Sequence, residues 1–179
     1  MHPMESSMFL QSSFVKFLLA TLLYSFMNLN TYAEDLIAIK SGGKAIHWTT
    51  EKSPHLALNI IDGKADTFWV SSGNTFPHVL AFSMPSNKRF EALSFKAENS
   101  NDQGTWAHHI RISSADPFPH MGGWEVIEDI KLPKTGQEKI IAIDGKRGRY
   151  FRLEIFSTQD EAASEASFGE FKVIDIYTR

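Results

Sequence analysis

The sequence predicts an all-β sandwich, and three observations lead there. Short runs rich in β-branched and aromatic residues recur along the chain, broken by Gly, Pro, Asn and Asp. Several of these runs alternate apolar with polar side chains, the pattern of a strand buried on one face. No stretch of about ten residues carries a convincing helical stripe.

Taken from the N-terminus, Lys16 precedes an apolar run over residues 17–27, and Thr31-Tyr32-Ala33 stands just before Glu34-Asp35. That order reads as a secretory signal peptide over residues 1–33, removed on export, with Met8 an alternative start. An uncleaved N-terminal anchor is the other reading. The run is short for a bilayer, and no later stretch approaches the roughly twenty apolar residues that spanning requires. Residues 34–179 then form one domain, long enough to bury a core without staples.

Cysteine is absent, which excludes disulfides, thiolate metal sites, a cysteine nucleophile and a lipid-modified cysteine. An exported domain without disulfides relies on its core and on any metal it binds. The expected location is the bacterial envelope or secretion, periplasmic or extracellular. A net charge of -3 and a pI near 6.2 give no bulk attraction to nucleic acid or to an anionic membrane surface.

The expected strands are residues 78–84, 90–98, 108–114, 124–132, 139–144, 149–157 and 170–177. In the sixth, Phe151, Leu153 and Ile155 share one face while Arg152 and Glu154 take the other. Residues 158–167, rich in alanine and acid, are read as a loop. With no internal repeat and no linker, strands at this spacing imply two antiparallel sheets packed face to face, loops gathered at the two ends. Binding surfaces in such folds lie on those loops.

Residues 59–69, Asn-Ile-Ile-Asp-Gly-Lys-Ala-Asp-Thr-Phe-Trp, combine turn chemistry, hard oxygens and a core aromatic. Asp62 offers a carboxylate and Thr67 a hydroxyl, while Gly63 lets the backbone fold back and aim carbonyls at a common point. That suits calcium, which takes about six to eight oxygen ligands. A plain Asx-turn with Trp69 entering the core is the competing reading.

This stretch, followed by Phe76-Pro77-His78-Val79-Leu80, Ile110 to Ser114 with Trp124, Gly148-Arg149-Tyr150-Phe151-Arg152-Leu153 and Phe168-Gly169-Glu170-Phe171-Lys172-Val173, resembles the discoidin family. These are the coagulation factor V/VIII type C domains of the galactose-binding-like superfamily, which includes many bacterial carbohydrate-binding modules. The resemblance covers residues 45–176. It implies an eight-stranded antiparallel jelly-roll β-sandwich carrying a structural calcium ion. Carried over position by position, the ion's ligands are the side chains of Asp62, Thr67 and Glu170 and the carbonyls of Asn59, Lys64 and Gly169.

The family's galactose-type pocket does not carry over. Members place a His after the turn's Trp, and an Arg and an Asn on the loop after the third strand; here Val70 follows Trp69 and residues 96–104 hold no Arg. Candidate contacts come from loop chemistry instead. Glu98, Asn99, Asn101, Asp102 and Gln103 lead through Gly104 to Trp106, a mixture of amides, acids and an aromatic that suits a sugar ring. The alternative is a solvated loop whose Trp106 packs down onto the sandwich. Phe118 and His120, on a second loop, are further candidate contacts, and Trp124 is expected in the core.

Catalysis finds no constellation. His108 and His109 are strand neighbours and face opposite ways, as do Glu128 and Asp129. Neither Ser113 nor Ser114 sits in a Gly-x-Ser-x-Gly elbow, and no zincin, phosphate-loop or dinucleotide motif is present. The expectation is a non-catalytic, exported module recognising a carbohydrate or envelope glycan, with a protein-interaction or adhesion domain as the alternative.

Overall fold

A computed structural model describes residues 31–100, 102–119 and 122–178. Asn101, His120 and residues 1–30 of the expected signal peptide lie outside the described residues. The chain divides into two units, Ala33–Ile176 and a second formed by Met1–Tyr32 with Tyr177–Arg179. Of the second, the described residues Thr31, Tyr32, Tyr177 and Thr178 are strand backbone. The first is the sandwich itself.

Nine strands are described: β1 (Thr31–Asp35), β2 (Lys44–Trp48), β3 (Trp69–Val70), β4 (His78–Lys96), β5 (Ala107–Ala115), β6 (Glu125–Lys131), β7 (Lys139–Thr158), β8 (Ser167–Phe168) and β9 (Glu170–Thr178). The boundary expected after Ala33 falls inside β1. Pairing runs β1-β9-β4-β7-β5-β6, with β2 also on β4 and a separate two-stranded β3-β8 ribbon. The ribbon and β1 bring the count to nine against the eight implied.

The sequence reads residues 78–84 and 90–98 as separate strands, and likewise 139–144 and 149–157. Each pair is one long strand, because the break is a bulge and not a turn. Between Ser83 and Lys88 the β4 register jumps against β7, in a segment holding Pro85, which has no N–H to give to a ladder. A second shift lies between Phe90 and Ala92. The halves serve different layers: residues 80–83 of β4 pair with β2, and residues 92–96 with β9. Strands that bend at bulges to change sheets are one way a sandwich turns its corners.

The core lies between the layers. Phe171 of β9 meets Phe82 and Phe151 of the other layer, each with ring centroids at 6.2 Å, and stacks on Phe95 at 5.6 Å. Phe151, Leu153 and Ile155 are fully buried, as their alternation predicts. Trp69 is also fully buried, and its indole donates to the Thr50 carbonyl at 2.9 Å. Antiparallel pairing of Trp69 with Phe168 sets the 59–69 turn beside the start of β9. Contacts far apart in sequence are thereby made local.

Candidate functional site

A 3-10 turn over Ala57–Ile61 ends at Asp62, and Gly63 takes φ +74°, a left-handed conformation with open space where a Cβ would stand. Glycine serves there for its backbone freedom. Asp62 Oδ1 accepts the Lys64 N–H at 2.9 Å. Thr67 Oγ1 lies 2.9 and 2.8 Å from the two Asp62 oxygens and 3.1 Å from the Lys64 carbonyl. A hydroxyl carries one proton, so it can satisfy one of these three neighbours; the rest is a convergence of oxygen lone pairs, the arrangement a cation relieves. Asn59 donates through its side chain to the Pro54 and Phe68 carbonyls, at 3.2 and 3.0 Å, while its own carbonyl faces the Asp62 N–H at 3.5 Å.

Glu170, the other carboxylate of the set, is 6% exposed, and its Oε1 is buried with no hydrogen-bond partner. Burial pushes its carboxyl up to about 7; Lys172 opposes the rise, while the Asp62 and Asp35 carboxylates add to it. Gly169, just before it, allows close passage: a Cβ there would stand 2.7 Å from the Lys96 carbonyl oxygen and the Ala97 carbonyl carbon. Asp62 and Glu170 are thus electrostatically coupled across the ribbon. Among the described residues no group of three or more His, Cys, Asp or Glu side chains could hold a metal, so any cation here would depend on hydroxyl and carbonyl oxygens beside the two carboxylates.

The loop from residue 98 to 106 differs from the expected contact surface. Glu98 is 2% exposed and Trp106 4%. The Trp106 indole donates to Glu98 Oε1 at 2.8 Å, and the Ser167 hydroxyl approaches the same oxygen at 3.3 Å. Both are therefore corrected from ligand contacts to internal bracing: a buried carboxylate must collect donors, and Trp106 supplies one. Glu98 also takes the Ser100 N–H and hydroxyl. Asn99 is exposed, but its amide reaches the Ala65 carbonyl at 2.6 Å and ties this loop to the Asp62 turn. Asp102 is exposed and caps its own turn through the Gly104 N–H at 3.2 Å. Phe118, partly buried, meets Trp124 and Tyr150 edge-on at 5.8 and 5.2 Å. Trp124 is half-buried and not core, with the Arg152 guanidinium over its ring at 5.0 Å.

A concavity that the sequence did not point to lies between the end of β2 and the segment before β4. Its volume is about 340 Å³, and Thr49, Thr50, Ser72, Thr75, Phe76 and His78 line it. The segment is pinned: buried Ser71 accepts the Ala166 N–H at 2.7 Å, and the Asn74 amide reaches the Ala163 carbonyl at 3.3 Å. His78 is 2% exposed, its ring packed edge-on against Phe76 at 4.8 Å and Trp69 at 5.6 Å. Burial lowers the His78 pKa, which favours the neutral imidazole. The polar run Ser71-Ser72-Gly73-Asn74-Thr75, between buried Trp69 and partly buried Phe76, is the signal that marks this loop.

With this geometry in place, comparison with known proteins settles the family. The F5/8 type C domain model matches residues 44–168. The chain belongs to that family. This F5/8 type C domain is 29% identical to the human intraflagellar transport protein 25 homolog over 133 residues, 73% of this chain and 86% of that protein. Among solved structures it is similar to a family 32 carbohydrate-binding module of Clostridium perfringens NanJ in complex with galactose. That likeness has a TM-score of 0.68 at 15% identity and covers 80% of this chain and 100% of the module. It is also similar to chitosan-binding module 1 of a chitosanase/glucanase from Paenibacillus sp. IK-5, with a TM-score of 0.64 at 15% identity, covering 80% and 98%. At such identities the structural likeness speaks for the fold of the F5/8 type C domain. Among the described residues no helix is long and apolar enough to cross a membrane.

Proposed function

We propose that this domain is a non-catalytic binding module that recognises a glycan at the loop end of its sandwich, with one calcium ion bracing the frame. The observation that carries the glycan reading is the chemistry of the gathered loops. Around the 340 Å³ concavity they present neutral hydroxyls and a partly exposed aromatic ring, where charges or a broad apolar surface would serve other ligands. Solved domains of the same fold named for galactose and chitosan support it. A glycan array probed with the full chain tests the reading, with specific retention of a neutral glycan as the expected outcome.

Calcium fits the residues present. The unpartnered Glu170 Oε1 and the crowded oxygens of Asp62, Thr67 and Lys64 would hold it, with the carbonyls of Asn59 and Gly169 completing a hard-oxygen set. When bound, the ion supplies positive charge that two nearby carboxylates lack and joins the turn to β9. Export is proposed on the order of Lys16, the apolar run and Ala33; mature protein recovered from the producing cell is expected to begin at or near Glu34.

A second reading, a protein-interaction domain, is favoured by a separate observation. Trp48, Leu56 and Leu58 are 42%, 39% and 43% exposed and surround an apolar concavity of about 220 Å³. Such a patch suits a protein interface, and an intraflagellar transport protein is among the relatives. Leu58→Asp would then abolish a partner complex while leaving any sugar binding intact.

A further inference from the structure

We propose that the concavity between residues 49–50 and 72–78 takes a single uncharged pyranose, the terminal residue of a glycan, and that the 98–106 loop does not contact it. The proposal rests on the glycan reading above and adds where the sugar sits and which sugars are admitted.

The hydroxyl geometry comes first. Thr49 Oγ1 accepts the Val79 N–H at 3.1 Å, and Thr50 Oγ1 accepts the Ser72 N–H at 2.9 Å. Each hydroxyl is held in place by a bond in which it is the acceptor, and its own proton remains to be given. Ser72 and Thr75 are exposed, and among the described residues neither hydroxyl has a hydrogen-bond partner. Four hydroxyl groups therefore border one space with donors and acceptors to spare. A ligand made of hydroxyls matches that inventory, since each of its groups both gives and takes.

Size and charge narrow the class. About 340 Å³ stands at the lower end of small-molecule sites, which run from about 300 to 1,000 Å³; one ring fits, and a chain does not. The lining carries no Lys, Arg, Asp or Glu. A sugar carboxylate or phosphate directed into it would give up hydration without a cation in return, so uronic acids, sialic acids and phosphosugars are disfavoured against neutral sugars. Phe76 offers the apolar wall, and its packing on His78 fixes the ring. Ser71 and Asn74 anchor the loop to residues 163–166, so little of it must be ordered on binding.

The test is a ¹H–¹⁵N NMR titration of the full chain in millimolar calcium. The probes are the methyl glycosides of galactose, glucose and N-acetylglucosamine, with glucuronic acid as the charged control. Expected are saturable shifts at the amides of Thr50, Ser72, Thr75 and His78 with at least one neutral glycoside, and none with glucuronic acid. Thr75→Val should weaken that binding roughly two- to tenfold, the range for losing one hydrogen bond. Phe76→Leu should weaken it while leaving the spectrum folded. Shifts confined to residues 99–105, or equal binding of glucuronic acid, would overturn this assignment and leave the glycan reading standing. No saturable shift with any neutral probe would overturn both.

Discussion

Replacing Glu170 by Gln should change stability in opposite directions with and without calcium. In the metal-free protein the carboxyl is raised from 4.5 to about 7. The folded state therefore holds a proton that the unfolded chain releases, and stability falls as pH climbs through this window, reaching its full loss above about 7. At about 1.4 kcal/mol per pH unit, the penalty on the ionised, buried carboxylate works out at about 3 kcal/mol. Gln carries no charge and escapes it. In chelator at pH 8, Glu170→Gln should melt higher than the wild type by about 6–12 °C, taking roughly 2–4 °C per kcal/mol for a chain of this size; near pH 4.5 the two should coincide. Calcium reverses the order at pH 8. A ligand at a thousandfold its dissociation constant stabilises the folded state by about 4.1 kcal/mol, more than the penalty of about 3 kcal/mol, and the wild type should gain this while the variant gains much less. Thermal unfolding followed by circular dichroism in calcium and in chelator, at both pH values, reads all four quantities. An equal calcium response in both proteins would refute Glu170 as a ligand. Equal melting in chelator at pH 8 would refute its burial as a charged group.

The remaining predictions concern neighbouring parts of the same frame. Asp62→Ala should remove most of the calcium response in thermal unfolding, because the Glu170 carboxylate is then the one charged ligand and cannot alone neutralise a divalent ion. Trp106→Ala should destabilise by about 3–5 kcal/mol in urea titration, since it empties a buried site and removes a donor from Glu98; a change under about 1 kcal/mol would argue that Trp106 is exposed after all. Gly169→Ala should lose about 1–3 kcal/mol or more, as its Cβ would press on the backbone of Lys96 and Ala97; unaltered unfolding would mean that β9 can move aside.

Much of the sandwich was legible because alternation is a local property. The run from Arg149 to Ser157 announced its own buried face, and the turn around Asp62 announced its conformation through Asp-Gly. What escaped were features set by partners distant in sequence. The two-residue strands β3 and β8 are too short to carry a period. Pro85 read as an interruption because a bulge and a turn use the same residues. Four tryptophans look alike in sequence, yet Trp106 is buried and Trp48 is exposed. The difference is Glu98, whose buried carboxylate draws the Trp106 indole inward, while β2 pairs only with β4 among the described strands and leaves Trp48 at the margin. The hydroxyl-lined concavity was hidden for the same reason, since Thr49 and Thr50 meet Ser72 and Thr75 only once β2 has folded onto β4.

Strands β4 and β7, each threading both layers, also govern how the domain comes apart. In a sandwich whose sheets are separate sets of strands, one sheet can peel away and leave the other as a partly ordered intermediate. Here a peeling front that reached Ser83 or Lys88 would have to continue along the same peptide backbone into the opposite layer. Amide hydrogens on either side of the bulges should then exchange with solvent in one common opening event, and a pull on either end of β4 should be borne by the two layers together.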